Sequence, residues 1–339
     1  MQESADYFER KTKTSHIGLI RMRRTFFIVG PTATGKSEIA ADVAREVGAE
    51  IVSADALQLY RELDLLSAKP DPSTLAKAPH HLIGITPLSE ETNAEKYRRA
   101  AMCAINEINS RGNLAIVVGG SGLYIKALTH GLAPLPERDP KLREKLNAVG
   151  LDELSAQLAE LDPETAKKID RNNRRRLVRA LEICLLTGKP ASEVLAAGSL
   201  SAVALAKAHD LGRAGSTIPA RGVFVYRDRA ELYERINQRV KTLFERGVTE
   251  EVGTVAKTST TASQMIGFRE IRELIAGKKS LPQCIAEIQR ATRHYAKRQL
   301  TWFRRQTSFL PLNLSFLTHN EAVKWISLRM LSEAGKRDD

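Results

Sequence analysis

Cysteine is scarce. The 339 residues hold three, Cys103, Cys184 and Cys284, and no C-x-x-C pair. Such spacing supplies neither a disulfide framework nor a zinc knuckle, and it suits a reducing cytoplasm, the expected location. Long apolar runs are also missing: nothing approaches the roughly 18 residues needed to cross a bilayer, so no membrane association is expected. Residues 1–24 lack the unbroken apolar segment of a secretory signal, because Arg10, Lys11, Lys13, Arg21, Arg23 and Arg24 recur through them. Glu3, Asp6 and Glu9 argue against a transit peptide, and Met22 offers an alternative start of translation. This stretch is expected to be a disordered extension outside the fold. No internal repeat is found.

An apolar share of 42% and a charged share of 27% exclude a wholly disordered chain. The 52 Lys and Arg outnumber the 40 Asp and Glu, for a formal charge of +12. The excess is clustered. Five of the nine residues from Arg171 to Arg179 are basic, as are six of the sixteen from Arg290 to Arg305, and neither run holds an acid. Clustering of this kind suits a polyanionic partner, although a solvated helix face is the plainer reading of any single cluster.

Thr25 to Val29 is a short apolar run that reads as a buried strand, followed by G-P-T-A-T-G-K-S and a helical pattern from Glu38 to Val47. A second strand covers Glu50 to Ser53. A helix over Ala94 to Asn109 leads to a third strand, Leu114 to Val118, closed by Gly119-Gly120-Ser121-Gly122. Strand, loop and helix in alternation predict an α/β fold, a parallel-sheet core with crossover helices. Pro134, Pro136 and Pro140 then punctuate a linker, and Lys141 to Lys189 is helical in pattern, with Leu177, Leu181, Cys184 and Leu185 forming one buried stripe. A strand at Gly222 to Tyr226 and helices over Arg229 to Glu245 and Leu281 to Phe303 follow. The expected organisation is a phosphate-loop core of 25–135 and 221–320, interrupted by a helical insertion domain of 136–220.

G-x-x-x-x-G-K-[ST] between a strand and a helix is a phosphate-binding loop: Gly30, Pro31, Thr32, Ala33, Thr34, Gly35, Lys36 and Ser37. Its glycines let main-chain N–H groups turn inward around an anion at the positive end of a helix. Lys36 supplies a cation and Ser37 a hydroxyl for Mg²⁺. The motif is common in nucleotide-binding, and especially ATP-binding, proteins. Here, however, the third strand ends in Gly119-Gly120 where many ATPases carry an acid, and there is no N-K-x-D guanine signature.

Further segments, in collinear order, resemble the tRNA dimethylallyltransferase (IPP transferase) family. They are Ser53–Tyr60 (S-A-D-A-L-Q-L-Y), Ala68–Pro70, Pro79–Ile83 (P-H-H-L-I) and Val118–Leu128 (V-G-G-S-G-L-Y-I-K-A-L). R-R-L-V-R-A-L-E (Arg175–Glu182), I-G-F-R-E (Ile266–Glu270) and Y-A-K-R-Q-L-T-W-F-R (Tyr295–Arg304) complete the set. With the phosphate loop, the resemblance spans about residues 25 to 305.

The resemblance implies transfer of a dimethylallyl group from dimethylallyl diphosphate to N6 of an adenosine beside the tRNA anticodon, with release of diphosphate. The phosphate loop would then hold a leaving group, with Lys36, Arg269 and Mg²⁺ at Ser37 neutralising its charge. Asp55, at the carboxyl end of the second strand, is the expected base for the amine, and a helix cap is its alternative reading. Ser121 would bond a diphosphate oxygen, line the channel, or serve only as a turn residue. Expected tRNA contacts are Asp55, Ala56, Leu57, Gln58 and Gly267, with Arg143, Arg175, Arg176 and Arg179 on the insertion. Arg293, Lys297, Arg298 and Arg304 would meet the RNA backbone from the last long helix, while Tyr295, Trp302 and Phe303 pack in the core. A monomer is expected.

Some positions depart from the family pattern. Ala56 stands where a Ser is frequent, Gly84 where an acid follows P-H-H-L-I, and His294 where an amide is common. The alternatives are an adenylate isopentenyltransferase acting on free nucleotides, a small-molecule kinase, and a noncatalytic tRNA-binding relic. The insertion and the two basic tracts favour a large polyanionic acceptor.

Overall fold

A computed structural model describes residues 25–133, 135–197 and 217–334. The extension of residues 1–24 lies outside the described residues, as does the Ala- and Gly-rich stretch 198–216. In chain order the first elements are β1 (Thr25–Val29), α1 (Lys36–Val47), β2 (Ala49–Ser53), β3 (His80–His81), α2 (Ala94–Ser110), β4 (Leu114–Gly119) and α3 (Gly122–Thr129). The next are α4 (Pro140–Ala148), α5 (Leu151–Leu161), α6 (Pro163–Lys168) and α7 (Arg174–Thr187). After them come β5 (Gly222–Tyr226), α8 (Arg229–Glu245), α9 (Val248–Gly253), α10 (Phe268–Ile275), α11 (Leu281–Phe303), β6 (Leu310–Asn313) and α12 (His319–Ala334).

The six strands form one sheet in the order β3-β2-β4-β1-β5-β6, and every pairing is parallel. Both faces of such a sheet must be covered, which is why T-F-F-I-V and L-A-I-V-V read as unbroken apolar runs. Alternate residues serve opposite faces. Phe27, Val52 and Val117 pack with Tyr97, Ile105 and Ile108 of α2 and with Tyr124 and Ile125 of α3. Phe26, Ile28, Ile51 and Ile116 pack with Ile39, Ala40 and Val43 of α1 and with Ile326 and Met330 of α12. Helix α12 is an addition to the elements read from sequence, and it packs on α1. Among the described residues, no helix is long and apolar enough to cross a membrane.

Parallel strands put all their carboxyl ends on one edge. Val29 pairs with Gly119, and Ser53 with Val118, so the loops after β1, β2 and β4 emerge side by side. They are stitched together by Gly30 N–H to Gly119 O (3.2 Å), Ala54 N–H to Val118 O (2.7 Å) and Ser121 N–H to Ala54 O (3.2 Å).

The chain divides into two compact units, one of Met1–Thr129 with Ile218–Asp339 and one of His130–Thr217. The second unit has its own core around Leu154, Leu158, Leu177 and Leu181. Leu177, Leu181 and Cys184 are buried as their spacing predicts, but Leu185 is 50% exposed. Val178, Ala180 and Ile183 are buried instead, so the apolar stripe of α7 is rotated away from Leu185.

Candidate active site

The phosphate loop runs from Gly30 to Ser37 into the first turn of α1. Gly35 turns at φ 88°, a left-handed conformation that suits glycine at this tight corner. Thr34 Oγ1 and Lys36 Nζ both donate to Pro31 O, at 3.1 and 3.2 Å. Two guanidiniums hold the loop from outside: Arg227 Nε donates to Thr34 O (3.0 Å) and Arg235 Nε to Ala33 O (2.9 Å). Carbonyls tied outward leave the N–H side of the loop for an anion. A third guanidinium, Arg239 of α8, donates from Nη1 to Thr32 Oγ1 (3.0 Å) and is enclosed, with Asp55 as its charged neighbour.

Sequence reading missed all three of these arginines. Arg235 and Arg239 stand four apart on one face of α8, but nothing in that spacing says which loop the face meets.

Burial pulls the Lys36 ammonium down to about 8; Asp55 opposes this and Arg239 adds to it. The phosphate loop thus holds a lysine whose charge burial disfavours and Asp55 only partly offsets, as a site for a polyanion should.

Asp55 lies two residues beyond β2. Its Oδ1 accepts Leu57 N–H (3.0 Å), so it closes a turn and caps no helix. Ser121 Oγ accepts Ala56 N–H (3.0 Å) and lies beside the Tyr295 phenol. Ser121 therefore supports the loop that carries Asp55. Burial and the Asp55 charge together raise the phenols of Tyr97, Tyr124 and Tyr295 above the usual tyrosine value.

Lys36, Ser37 and Asp55 share one cleft with Ile51, Pro70, Ile83 and Val118, and with the polar Ser53, Gln58 and His80. Cationic and hydroxyl groups from the phosphate loop, a carboxylate and aliphatic side chains thus line the same space. Ser53 Oγ donates to Gln58 Oε1 (3.0 Å) and Gln58 Nε2 to Ala68 O (3.0 Å), so Gln58 serves the wall itself.

The remaining sequence-derived residues separate into groups. Leu57 and Ala56 are partly buried against the core clusters. Gly267 precedes α10, and its N–H donates to Glu270 Oε2 (3.2 Å). Arg269 is 74% exposed and paired with Glu270 and Glu273; the guanidinium facing Lys36 and Asp55 belongs to Arg239. On α11, Lys297 and Arg298 are exposed, as is Arg304 just past its end, with Arg298 5.7 Å over the Tyr295 ring. Arg293 is partly buried, bonded to Asn237 Oδ1 (2.5 Å) and 6.0 Å from the Tyr233 ring.

In the second unit, Arg175 and Arg176 are exposed. Arg143 and Arg179 instead bind the fully buried Glu182, through Arg143 Nε and Nη2 (2.8 and 2.9 Å) and Arg179 Nη1 (2.5 Å).

The IPP transferase family model matches residues 58–306, well over half of the chain. The chain belongs to the IPP transferase family. Among its relatives, tRNA dimethylallyltransferase 1 of Citrifermentans bemidjiense is 42% identical over 278 residues, 81% of this chain and 87% of the relative. The tRNA dimethylallyltransferase of Geobacter sulfurreducens is 40% identical over 307 residues, covering 88% and 90% of the two chains.

The crystal structure of a full-length tRNA isopentenylpyrophosphate transferase from Bacillus halodurans superposes with a TM-score of 0.64 at 30% identity, covering 91% of this chain and 96% of that one. A eukaryotic dimethylallyltransferase acting on tRNA gives 0.66 at 25% identity, covering 86% and 74%. In this IPP transferase the phosphate loop and Asp55 precede the family-matched segment, which contributes Gln58, Arg239 and α11.

Proposed function

We propose that this IPP transferase moves a dimethylallyl group from dimethylallyl diphosphate to N6 of an adenosine next to the tRNA anticodon and releases diphosphate. The observation that carries this reading is the shared cleft: Lys36 and Ser37 suit a diphosphate, Ile51, Pro70, Ile83 and Val118 suit a short hydrocarbon, and Asp55 lines the same space.

As the C–O bond of the donor breaks, its electron pair leaves with diphosphate. The inward N–H groups of the loop, with Lys36 and Arg239, take up that charge, and fixed donors in a dry site are the strongest way to do so. The N6 lone pair of adenine forms the new C–N bond. Asp55 accepts the N–H, localises the lone pair on nitrogen and receives the proton. The aliphatic wall excludes water that would otherwise capture an allylic cation.

Among the described residues there is no cluster of three or more His, Cys, Asp or Glu that would cage a metal ion. Mg²⁺, which needs few protein ligands when phosphate oxygens supply the rest, fits the Ser37 hydroxyl and would add charge neutralisation to the leaving group.

The target base must leave its stack to reach Asp55. Ala56, Leu57 and Gly267 are assigned to its surroundings. Lys297, Arg298 and Arg304, with Arg175 and Arg176, are assigned to RNA phosphates. A monomer acting in the cytoplasm accords with this role.

Mass analysis of nucleosides from tRNA incubated with purified protein and dimethylallyl diphosphate, with AMP as a parallel acceptor, tests the reading. The expected product is N6-dimethylallyl adenosine in tRNA alone. Asp55→Asn should lose roughly 10² to 10⁴ in rate while keeping its tRNA affinity. Product on AMP alone would reassign the acceptor, and no product on either would sink the proposal.

A further inference from the structure

Gln299 has no part in the functional reading above, yet it occupies the junction on which that reading depends. It lies in α11, six residues after Arg293, and is only 6% exposed. Its side-chain amide stands between the two loops that flank the cleft. Oε1 accepts the main-chain N–H of Thr32 in the phosphate loop (3.0 Å), and Nε2 donates to the carbonyl of Gly120 after β4 (2.8 Å).

The polarity of these partners specifies the residue. One loop offers a donor and the other an acceptor, so the bridging group must accept at one end and donate at the other. A carboxamide of this length does both. The approach is close: a Cβ at Gly120 would lie 2.3 Å from Gln299 Nε2, so a residue with a side chain there would displace the amide.

The two loops carry different halves of the reaction. Thr32 is fixed by Gln299 through its main chain and by Arg239 through its hydroxyl, within the loop that would hold diphosphate. Gly120 adjoins Ser121, whose hydroxyl accepts Ala56 N–H beside Asp55. One turn before Gln299 on α11, the Tyr295 phenol lies against the same Ser121 hydroxyl.

We infer that Gln299 is a positioning residue that sets the spacing between the diphosphate loop and the loop supporting Asp55, and so the distance between the allylic carbon and the amine that attacks it. The inference rests on the prenyl-transfer reading. It assigns no contact between Gln299 and either substrate. Its loss therefore affects the alignment of the two substrates more than the affinity for either one, and a misplacement of about 1 Å between reacting groups can cost about 10²-fold in rate.

The experiment compares wild type, Gln299→Met and Gln299→Glu in single-turnover prenylation of tRNA, with separate equilibrium titrations of tRNA and of dimethylallyl diphosphate and with thermal melting. Gln299→Met keeps the volume and removes both hydrogen bonds. Gln299→Glu keeps the acceptor for Thr32 N–H and sets an oxygen against the Gly120 carbonyl.

Both variants are expected to slow the bound-complex rate by about 10- to 100-fold, with either dissociation constant changed less than about threefold. A residue that only stabilised the fold would lower the melting temperature and the active fraction, leaving the rate per active site intact. If Gln299→Met does not fold, Gln299→Glu decides the matter alone. Wild-type rates per active site in the folded variants would overturn the inference while leaving the functional reading standing. A wild-type protein that prenylates nothing would overturn both.

Discussion

Lys36 carries a cost that can be measured without any substrate. Its folded value of about 8 lies below the ordinary 10.5. At about 1.4 kcal/mol per pH unit, the charged ammonium costs the folded protein up to about 3 kcal/mol at pH 7. The direction in pH follows from proton counting. Between about 8 and 10.5 the unfolded chain holds the proton that the folded chain has lost, so folding stability rises with pH across that window. Lys36→Met removes the charge and, with it, the hydrogen bond to Pro31 O. Offsetting about 1 kcal/mol for that bond leaves a net gain of roughly 1–2 kcal/mol at pH 7, or a few degrees in melting temperature for a protein of this size. Thermal melting followed by circular dichroism at pH 7, 8.5 and 10, without ligand, gives the readout. The variant should melt above wild type at pH 7, and the gap should close toward pH 10. Added inorganic diphosphate should stabilise wild type and have little effect on the variant. A variant that melts below wild type at pH 7, or a gap indifferent to pH, would refute the placing of a desolvated cation in the loop.

Glu182 provides a second test, in the insertion unit. Burial alone would raise its carboxyl, but hydrogen bonds from Arg143, Arg179 and the Asp139 N–H outweigh that and hold it below the usual value. Glu182→Ala leaves two guanidiniums without their shared anion and should cost about 3–5 kcal/mol in urea unfolding; a loss below 1 kcal/mol would show that Arg143 and Arg179 stand free for RNA. Because the folded value is depressed, this contribution should be intact above about pH 4.5 and fade as the pH falls through the folded value. On α11, replacing both Lys297 and Arg298 by Ala should flatten the dependence of log tRNA affinity on log salt by roughly 0.7–0.9 for each phosphate that is no longer neutralised. An unchanged slope would remove that helix face from the RNA interface.

The parts of this site that sequence could supply are those whose chemistry is local. The phosphate loop is eight consecutive residues with a fixed glycine and lysine spacing, and Asp55 follows directly on a recognisable strand. The partners that complete it come from far along the chain. Arg227 meets Thr34 across 193 residues, Arg239 meets Thr32 across 207, and Gln299 meets Thr32 across 267. Nothing local assigns their partners: Gln299 lies in the Y-A-K-R-Q-L-T-W-F-R segment and Arg227 just before α8, but only the packing of α8 and α11 brings these side chains to the loop.

Strands β3 and β6 escaped for another reason. One has two residues, and the other is L-P-L-N, in which proline is tolerated because the strand lies at the sheet edge. The fold divides the basic run from Arg171 to Arg179: Arg179 turns inward to Glu182, while Arg175 and Arg176 are exposed.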